Sequence, residues 1–341
     1  MRIMILNEER VDYLADNLKI HKILNGMWQV SGGHGQIDFK KAIESMEFHA
    51  NSGFITWDLA DHYGPAEDLV KTFREKLLFD GNEDLLKDLN FFTKWVPTPQ
   101  KITRKIVERA IDISRKRMGM ESLDMVQFHW WDYENKNYLK AIEYLDDLRE
   151  EGVIKYLGLT NFDTLHLKEL IEMGFKITSN QVQYSLIDRR PEKKMAQFCE
   201  NNNIKLLAYG TLGGGLLSER YLDQPEPYGS QLYTSSLQKY KQMIDRWGDW
   251  NLFQQILKVL NDIGKKYNVS IANVAVRYIL ENSTVGGAII GVRLGISENV
   301  EDNLNVFKFT LEDDDINKIN EISQKSNDLF SIIGDCGDEY R

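Results

Sequence analysis

Eight short runs rich in β-branched and aromatic residues recur along the chain, at 22–24, 54–59, 89–94, 125–129, 154–160, 177–182, 204–209 and 288–291. Between them lie segments of helical periodicity, among them 39–49, 102–118, 139–149, 165–173, 191–200 and 271–280. Leu139, Ile142, Leu145 and Leu148 recur every three residues, a stripe suited to face a core. Eight strands, each followed by a helix, imply a parallel sheet, and eight is the number that closes into a (β/α)8, or TIM, barrel. An open doubly wound sheet is the competing topology. It is weakened because no G-x-G-x-x-G turn follows the first run.

A barrel of about 250 residues with loop insertions accounts for the 341 residues as one domain over 1–341, with the barrel at about 20–325. A formal net charge of −10 offers no broad basic surface, so neither nucleic acid nor anionic membrane is an expected partner. Cys199 and Cys336 are too few for a disulfide framework, and neither a C-x-x-C pair nor a zinc-type histidine spacing points to a metal. The run Ile3-Met4-Ile5-Leu6 is too short for a signal-peptide core, and no stretch approaches the ~20 apolar residues of a membrane span. A cytoplasmic monomer or small homo-oligomer is therefore expected. Two segments break the alternation. Residues 217–250 form a long loop after the seventh strand, either functional or mobile, with Gln224-Pro225-Glu226-Pro227, four tyrosines and two tryptophans. The tail 326–341 is acidic, contains glycine and is expected to be partly disordered.

In a barrel, chemistry sits where strands end. The second strand ends in Asp58 and continues Leu59-Ala60-Asp61-His62-Tyr63-Gly64; the third ends in Lys94 and the fourth in His129. Each alone has a plain reading: an aspartate that caps a helix, a lysine that snorkels to the surface, a structural histidine. Together they say more. A lysine between Phe92 and Trp95 is expensive to bury without a counterion, and Asp58 is its natural partner. Such a lysine ~4 Å from a phenol would favour phenolate by up to ~4 kcal/mol at an effective dielectric of ~20. Tyr63 thereby becomes a candidate proton donor, Asp58 offsetting part of the effect, and His129 could orient a carbonyl oxygen by hydrogen bonding.

The segments Trp57-Asp58-Leu59-Ala60-Asp61-His62-Tyr63-Gly64, Phe92-Thr93-Lys94 and Gln127-Phe128-His129 resemble the three catalytic segments of the aldo-keto reductase family, in order and strand position. The family's Asp-Tyr-Lys-His tetrad would fall on Asp58, Tyr63, Lys94 and His129. Leu59 stands where many members carry threonine. Further motifs extend the likeness, closest to bacterial and plant members. Gly26-Met27-Trp28 resembles the turn against the nicotinamide. Gly158-Leu159-Thr160-Asn161-Phe162 and Asn180-Gln181-Val182-Gln183-Tyr184 resemble segments in which Thr160, Asn161 and Gln181 would hold the carboxamide. Ala208-Tyr209-Gly210-Thr211-Leu212-Gly213 resembles the loop in which Tyr209 stacks on nicotinamide and glycine-rich backbone meets pyrophosphate. Arg293 would take the 2′-phosphate of NADP, with Asn299, Asp302 and Asn303 at the adenosine end. Leu294 and Asn299 replace a common serine and arginine there, which leaves NAD(H) open beside NADP(H). Read without the family, these are glycine turns, a strand glutamine and an exposed arginine.

The resemblance implies reversible hydride transfer between a nicotinamide cofactor and a small carbonyl or alcohol. Trp28, Trp95, Trp130 and Trp131, near strand ends, would give an aromatic-walled mouth or serve as core packing. The rivals are a non-catalytic cofactor-binding subunit of the same fold and a Schiff-base aldolase with Lys94 as nucleophile.

Overall fold

The computed structural model describes residues 8–32 and 37–341. All eight runs become strands: β3 (Ile23–Gly26), β4 (Thr56–Asp58), β5 (Asn90–Trp95), β6 (Leu123–His129), β7 (Ile154–Thr160), β8 (Ser179–Gln183), β9 (Lys205–Tyr209) and β10 (Val285–Gly291). They pair in parallel, each with its neighbour in sequence, and β10 closes the ring between β9 and β3. The barrel expected from the alternation is the observed fold. Its seam depends on a glycine. A Cβ on Gly287 would stand 2.4 Å from Leu24 Cδ1 and 3.1 Å from the Lys22 carbonyl oxygen, so a side chain there would wedge β10 from β3.

An antiparallel hairpin, β1 (Val11–Ala15) with β2 (Leu18–His21), precedes the barrel and was not legible in the sequence. Its Leu14, Leu18 and Ile20 pack with Leu24, Phe92, Met125 and Leu207 from inside the barrel. The hairpin thus stoppers the end opposite the strand C-termini. Ile3-Met4-Ile5-Leu6 lies outside the described residues.

Helices α1 (Phe39–Asn51), α2 (Ala66–Phe79), α3 (Glu83–Asp88), α4 (Arg104–Met118), α5 (Asn137–Glu150), α6 (Thr164–Glu172) and α7 (Met195–Asn201) follow β3 to β8. Sequence signals fix their ends: the Asp38 and Asp163 side chains accept from Lys41 and His166 backbone N–H groups, and Gly119 ends α4 in the left-handed region. Apolar faces of these helices meet the outward residues of the strands, such as Trp57, Phe91, Val126 and Phe128, in the main core. After β9 come α8 (Ser235–Trp247), α9 (Trp250–Tyr267) and α10 (Ile271–Leu280); α11 (Val300–Leu304), α12 (Asp313–Ser323) and α13 (Leu329–Ile333) follow β10.

Both irregular segments are more ordered than expected. Residues 217–250 contain α8, begun by the Thr234 side-chain cap, and α8 lies against the glycine-rich turn after β9. The expected disorder of the tail is overturned. Residues 334–341 fold back over the barrel mouth, because the tail carries its own anchors: Cys336 is fully buried, and the Glu339 carboxylate pairs with buried Arg190 at 3.0 Å. Acidic composition signals solvation only where no buried cation waits for it. Among the described residues no helix is long and apolar enough to cross a membrane.

Candidate active site

Strand parity builds the site. Along β6, Met125, Gln127 and His129 point into the barrel while Val126 and Phe128 face the helices. The same alternation sends Asp58 inward from β4, Lys94 from β5 and Gln181 from β8. Register then levels them: Asp58 lies opposite Phe92, Lys94 opposite Gln127, His129 opposite Thr160, and Thr160 opposite Gln181. Four strands deliver polar side chains to one layer just below the mouth.

At the centre is Asp58. Its Oδ2 accepts from Lys94 Nζ at 2.6 Å, and its Oδ1 accepts from Gln127 Nε2 at 2.8 Å and Gln181 Nε2 at 2.7 Å. Gln181 Nε2 also donates to Gln127 Oε1 at 2.7 Å. Lys94 Nζ further donates to the Leu59 carbonyl at 3.0 Å. The ion pair is almost wholly buried, with side chains 3% and 4% exposed, and these bonds satisfy what burial would otherwise leave unpaired. Burial draws the Lys94 ammonium below the usual lysine range, against the pull of Asp58.

The loop after β4 continues the strand pairing, Leu59 N–H donating to Phe92 O and Asp61 N–H to Lys94 O, and a turn from Ala60 to Tyr63 lifts the phenol over the ion pair. Lys94 Nζ stands 5.0 Å from the Tyr63 ring centroid, while the Trp28 and His62 rings meet its edge at 4.9 Å. The expectation that the lysine lowers the tyrosine's pKa is not met here. Burial first, and the Asp58 carboxylate second, push the Tyr63 hydroxyl well above the ordinary phenol range. The physical reason is that the charge of Lys94 is spent on Asp58. His129 is drawn down to about 3, by burial first and then by the positive charges of Arg341 and Lys94, so it is neutral at working pH. Its Nε2 is buried and has no partner.

Further out, Asn161 takes a left-handed backbone conformation (φ 57°) after β7, which asparagine tolerates. Its Oδ1 accepts from Tyr209 Oη at 2.8 Å. Thr160 Oγ1 and Thr211 Oγ1 are buried with no partner. The Gly210–Gly215 turn lies under α8, and a Cβ on Gly210 would collide with the Tyr240 hydroxyl at 2.6 Å. Gly26 has a packing reason of its own, since a Cβ there would meet Ile289 Cγ2 at 2.7 Å. Met27 is fully buried in the core, which leaves only its backbone to face a ligand, while Trp28 borders the mouth.

At the far rim Arg293 is exposed and bridges to Ser297 through the backbone, with exposed Asn299 and half-buried Asn303 following in the chain. The Asp302 carboxylate turns inward, accepting from Ser270 Oγ at 3.1 Å and Asn273 Nδ2 at 3.2 Å. The four tryptophans divide evenly. Trp28 and Trp131 border the mouth, 38% and 36% exposed; Trp95 and Trp130 belong to the core. The Trp130 indole donates to the Asp132 and Asn135 carbonyls, so it holds a loop.

Several participants were missed. Gln127 could have been found, because two residues before His129 on a strand means the same face. Tyr340 could not. It arrives from the tail, its ring 6.0 Å from that of His129 and 5.8 Å from Trp131, its hydroxyl 3.2 Å from that of Tyr209. Arg341 seals the seat by donating to the Asn161 carbonyl at 2.6 Å and the Tyr133 hydroxyl at 2.7 Å. Among the described residues no cluster of histidine, cysteine or carboxylate side chains could hold a metal ion.

Known proteins resemble this chain along most of its length. The model of the Aldo/keto reductase family matches residues 22–324. L-glyceraldehyde 3-phosphate reductase of Escherichia coli O157:H7 is 24% identical over 309 residues, covering 87% of each chain. NADH-specific methylglyoxal reductase of Escherichia coli K12 is 22% identical over 333 residues, covering 88% of this chain and 93% of the relative. The crystal structure of a thermostable aldo-keto reductase bound to the inhibitor epalrestat shares the fold, with a TM-score of 0.69 at 21% identity over 91% of this chain and 98% of the other.

Proposed function

This chain belongs to the aldo/keto reductase family, and on that premise we propose that it interconverts a small carbonyl compound and an alcohol, with Tyr63 as proton donor and acceptor. The observation that carries the reading is the Tyr63 phenol set over a buried ion pair satisfied from four strands, with a buried, unpartnered His129 imidazole nitrogen at the end of the strand next to that of Lys94.

Members of the family use nicotinamide cofactors, and the residues here fit one. Thr160 Oγ1 and Thr211 Oγ1 are buried polar atoms with nothing of the chain's own to bond. A carboxamide has both donors and acceptors, and Thr160, Asn161 and Gln181 offer both kinds. Tyr209 would supply the stacking face, with Gly26, Met27 and Trp28 on the other side of the ring. The Gly210-Thr211-Leu212-Gly213 backbone would meet the pyrophosphate. Arg293 would pair with a 2′-phosphate, with Asn299 and Asn303 beside the adenosine. That assignment favours NADP(H). Bound there, the cofactor supplies the hydride. Asp302 leaves the proposed set, since its carboxylate is spent on α10.

In the reducing direction the Tyr63 hydroxyl gives its proton to the carbonyl oxygen. The His129 imidazole, kept neutral by burial, donates an Nε2 hydrogen bond to the same oxygen and sets its position. Asp58, held by Gln127 and Gln181, keeps Lys94 in place beneath the Tyr63 ring and so fixes where the phenol stands. Trp28 and Trp131 screen the reacting oxygen from water. The Schiff-base alternative is disfavoured because Lys94 Nζ is bound to a carboxylate and a carbonyl.

Titration of the protein with NADPH and NADH, followed by tryptophan fluorescence, and turnover of an aldehyde panel test the proposal together. Tighter binding of NADPH, lost in Arg293→Ala, supports the 2′-phosphate assignment. Failure to bind either nucleotide sinks the reading.

A further inference from the structure

Beyond the reacting oxygen, the mouth has a second polar pole that the proposed mechanism leaves unused. Lys239, on α8, sets its ammonium between Tyr209 and the tail. There it donates to the Tyr340 hydroxyl and stands over three tyrosine rings, 4.6 Å from the centroid of Tyr340, 5.0 Å from Tyr209 and 5.2 Å from Tyr240. Among the described residues no carboxylate lies within ion-pair distance of it. Glu339 gives its Oε2 to Arg190 at 3.0 Å and to the Gly337 N–H at 2.9 Å, and its Oε1 lies 3.3 Å from the Tyr209 hydroxyl. A part-buried cation held only by ring faces and a phenol is incompletely compensated, since cation–π contacts return a fraction of what a carboxylate would.

The Tyr340 hydroxyl is also under-used. The shortest bond of the Tyr209 hydroxyl, at 2.8 Å, is to Asn161 Oδ1, which can only accept. The hydrogen of Tyr340 is then left with the Tyr209 oxygen at 3.2 Å, a long contact for a hydroxyl donor. Two donors therefore converge beside Tyr209, where the carboxylate oxygen at hand, Glu339 Oε1, stands 3.3 Å from the Tyr209 hydroxyl and bonds neither of them. The Tyr340 ring spans the gap between them and His129, 6.0 Å away ring to ring.

We propose that Lys239 and Tyr340 receive an anionic oxygen carried by the substrate, a carboxylate or phosphate a few bonds from the carbonyl held at Tyr63 and His129. The inference rests on the carbonyl-reductase reading and narrows its substrate class from apolar aldehydes to acidic ones. No residue of the Asp58 layer takes part. The segment 334–341 thereby becomes part of the substrate site, held there by Arg190 and by the Asn161 backbone rather than by the barrel strands.

The test compares kcat/KM for 4-oxobutanoate with butanal, and for glycolaldehyde phosphate with glycolaldehyde, in the intact protein and in Lys239→Met, Lys239→Arg and Tyr340→Phe variants. The dissociation constant of NADPH is read separately by fluorescence. The expected result is a preference for the acidic member of at least one pair, cut about 10-fold or more by Lys239→Met and largely restored by Lys239→Arg. Butanal turnover and NADPH affinity should be unchanged. Equal losses on charged and neutral aldehydes, or weakened NADPH binding, would give the lysine to folding or to the cofactor and overturn the inference. So would neutral aldehydes that are reduced as well as acidic ones in every variant, while leaving the reductase reading intact. If no aldehyde of either kind is reduced although NADPH binds, the reading falls and the inference with it.

Discussion

Tyr63 and the Asp58 beneath it differ in how much of the structure leans on them, and this separates their expected phenotypes. Tyr63→Phe removes only a hydroxyl, so kcat should fall by about 10²–10⁴-fold with NADPH affinity retained, measured by single-turnover reduction and fluorescence titration. Asp58→Ala strands the buried Lys94 ammonium and two amides, and should cost about 3–5 kcal/mol in a urea midpoint experiment besides its activity. Acid should be felt through histidine. The ring of His21, with Nε2 buried and unpartnered, is drawn down to about 4, chiefly by burial, and His129 to about 3, against a usual value of about 6.5. The unfolded chain therefore binds these protons more tightly, so stability is complete above about pH 6.5 and declines as pH falls toward 4. A His21→Leu variant should flatten that decline in denaturation midpoints taken across the window; an unchanged slope would remove His21 as the cause. Tyr63, by contrast, stays protonated through neutrality, so reduction should weaken only above about pH 10. Residue types at strand ends announced Asp58, Lys94, Tyr63 and His129. The direction of the Tyr63 shift was not legible, because it depends on how completely Asp58 consumes the lysine's charge.

Among elements, the informative ones are those that do not belong to the strand–helix repeat. Helix α8 and the segment 334–341 meet over Tyr209 through Lys239 and Tyr340, although 101 positions separate those two residues. Local pattern carries no information about such a meeting, whereas the strands were readable from their own composition. The seat of the tail is narrow. Gly337 has φ 90°, and a Cβ on it would sit 2.1 Å from the Asn161 carbonyl oxygen. Gly337→Ala should therefore lift the tail and raise acrylamide quenching of the mouth tryptophans Trp28 and Trp131, while far-ultraviolet circular dichroism of the barrel is retained. Unaltered quenching would mean that the turn absorbs the methyl group by moving elsewhere. Asn161→Gly keeps the left-handed turn and removes the acceptor of Tyr209, so comparison with Asn161→Ala separates backbone need from side-chain need.

At the scale of the whole molecule, eight runs of strand-like composition were enough to name a closed barrel, since parity and connection rules leave few other ways to bury them. The hairpin under the barrel escaped notice because its two short strands lie close to the first barrel strand and read as one weak stretch. Closure itself should be sensitive at the seam. Gly287→Val, forced against Leu24 and the Lys22 carbonyl, should destabilise the fold by about 1–3 kcal/mol and broaden its thermal transition, as calorimetry would record. A stable, unbroadened variant would place the weak point of the ring elsewhere. The carboxylate at the centre of the polar layer has a wider bearing. Lys94, Gln127 and Gln181 reach Asp58 from strands that are not all adjacent, so one aspartate ties together a large arc of the cylinder from within. The proposed chemistry and the integrity of the wall thus rest on the same atoms. A drifting copy of this gene would lose stability and turnover together in a single step at Asp58, but could shed Tyr63 and persist as a well-formed, silent barrel.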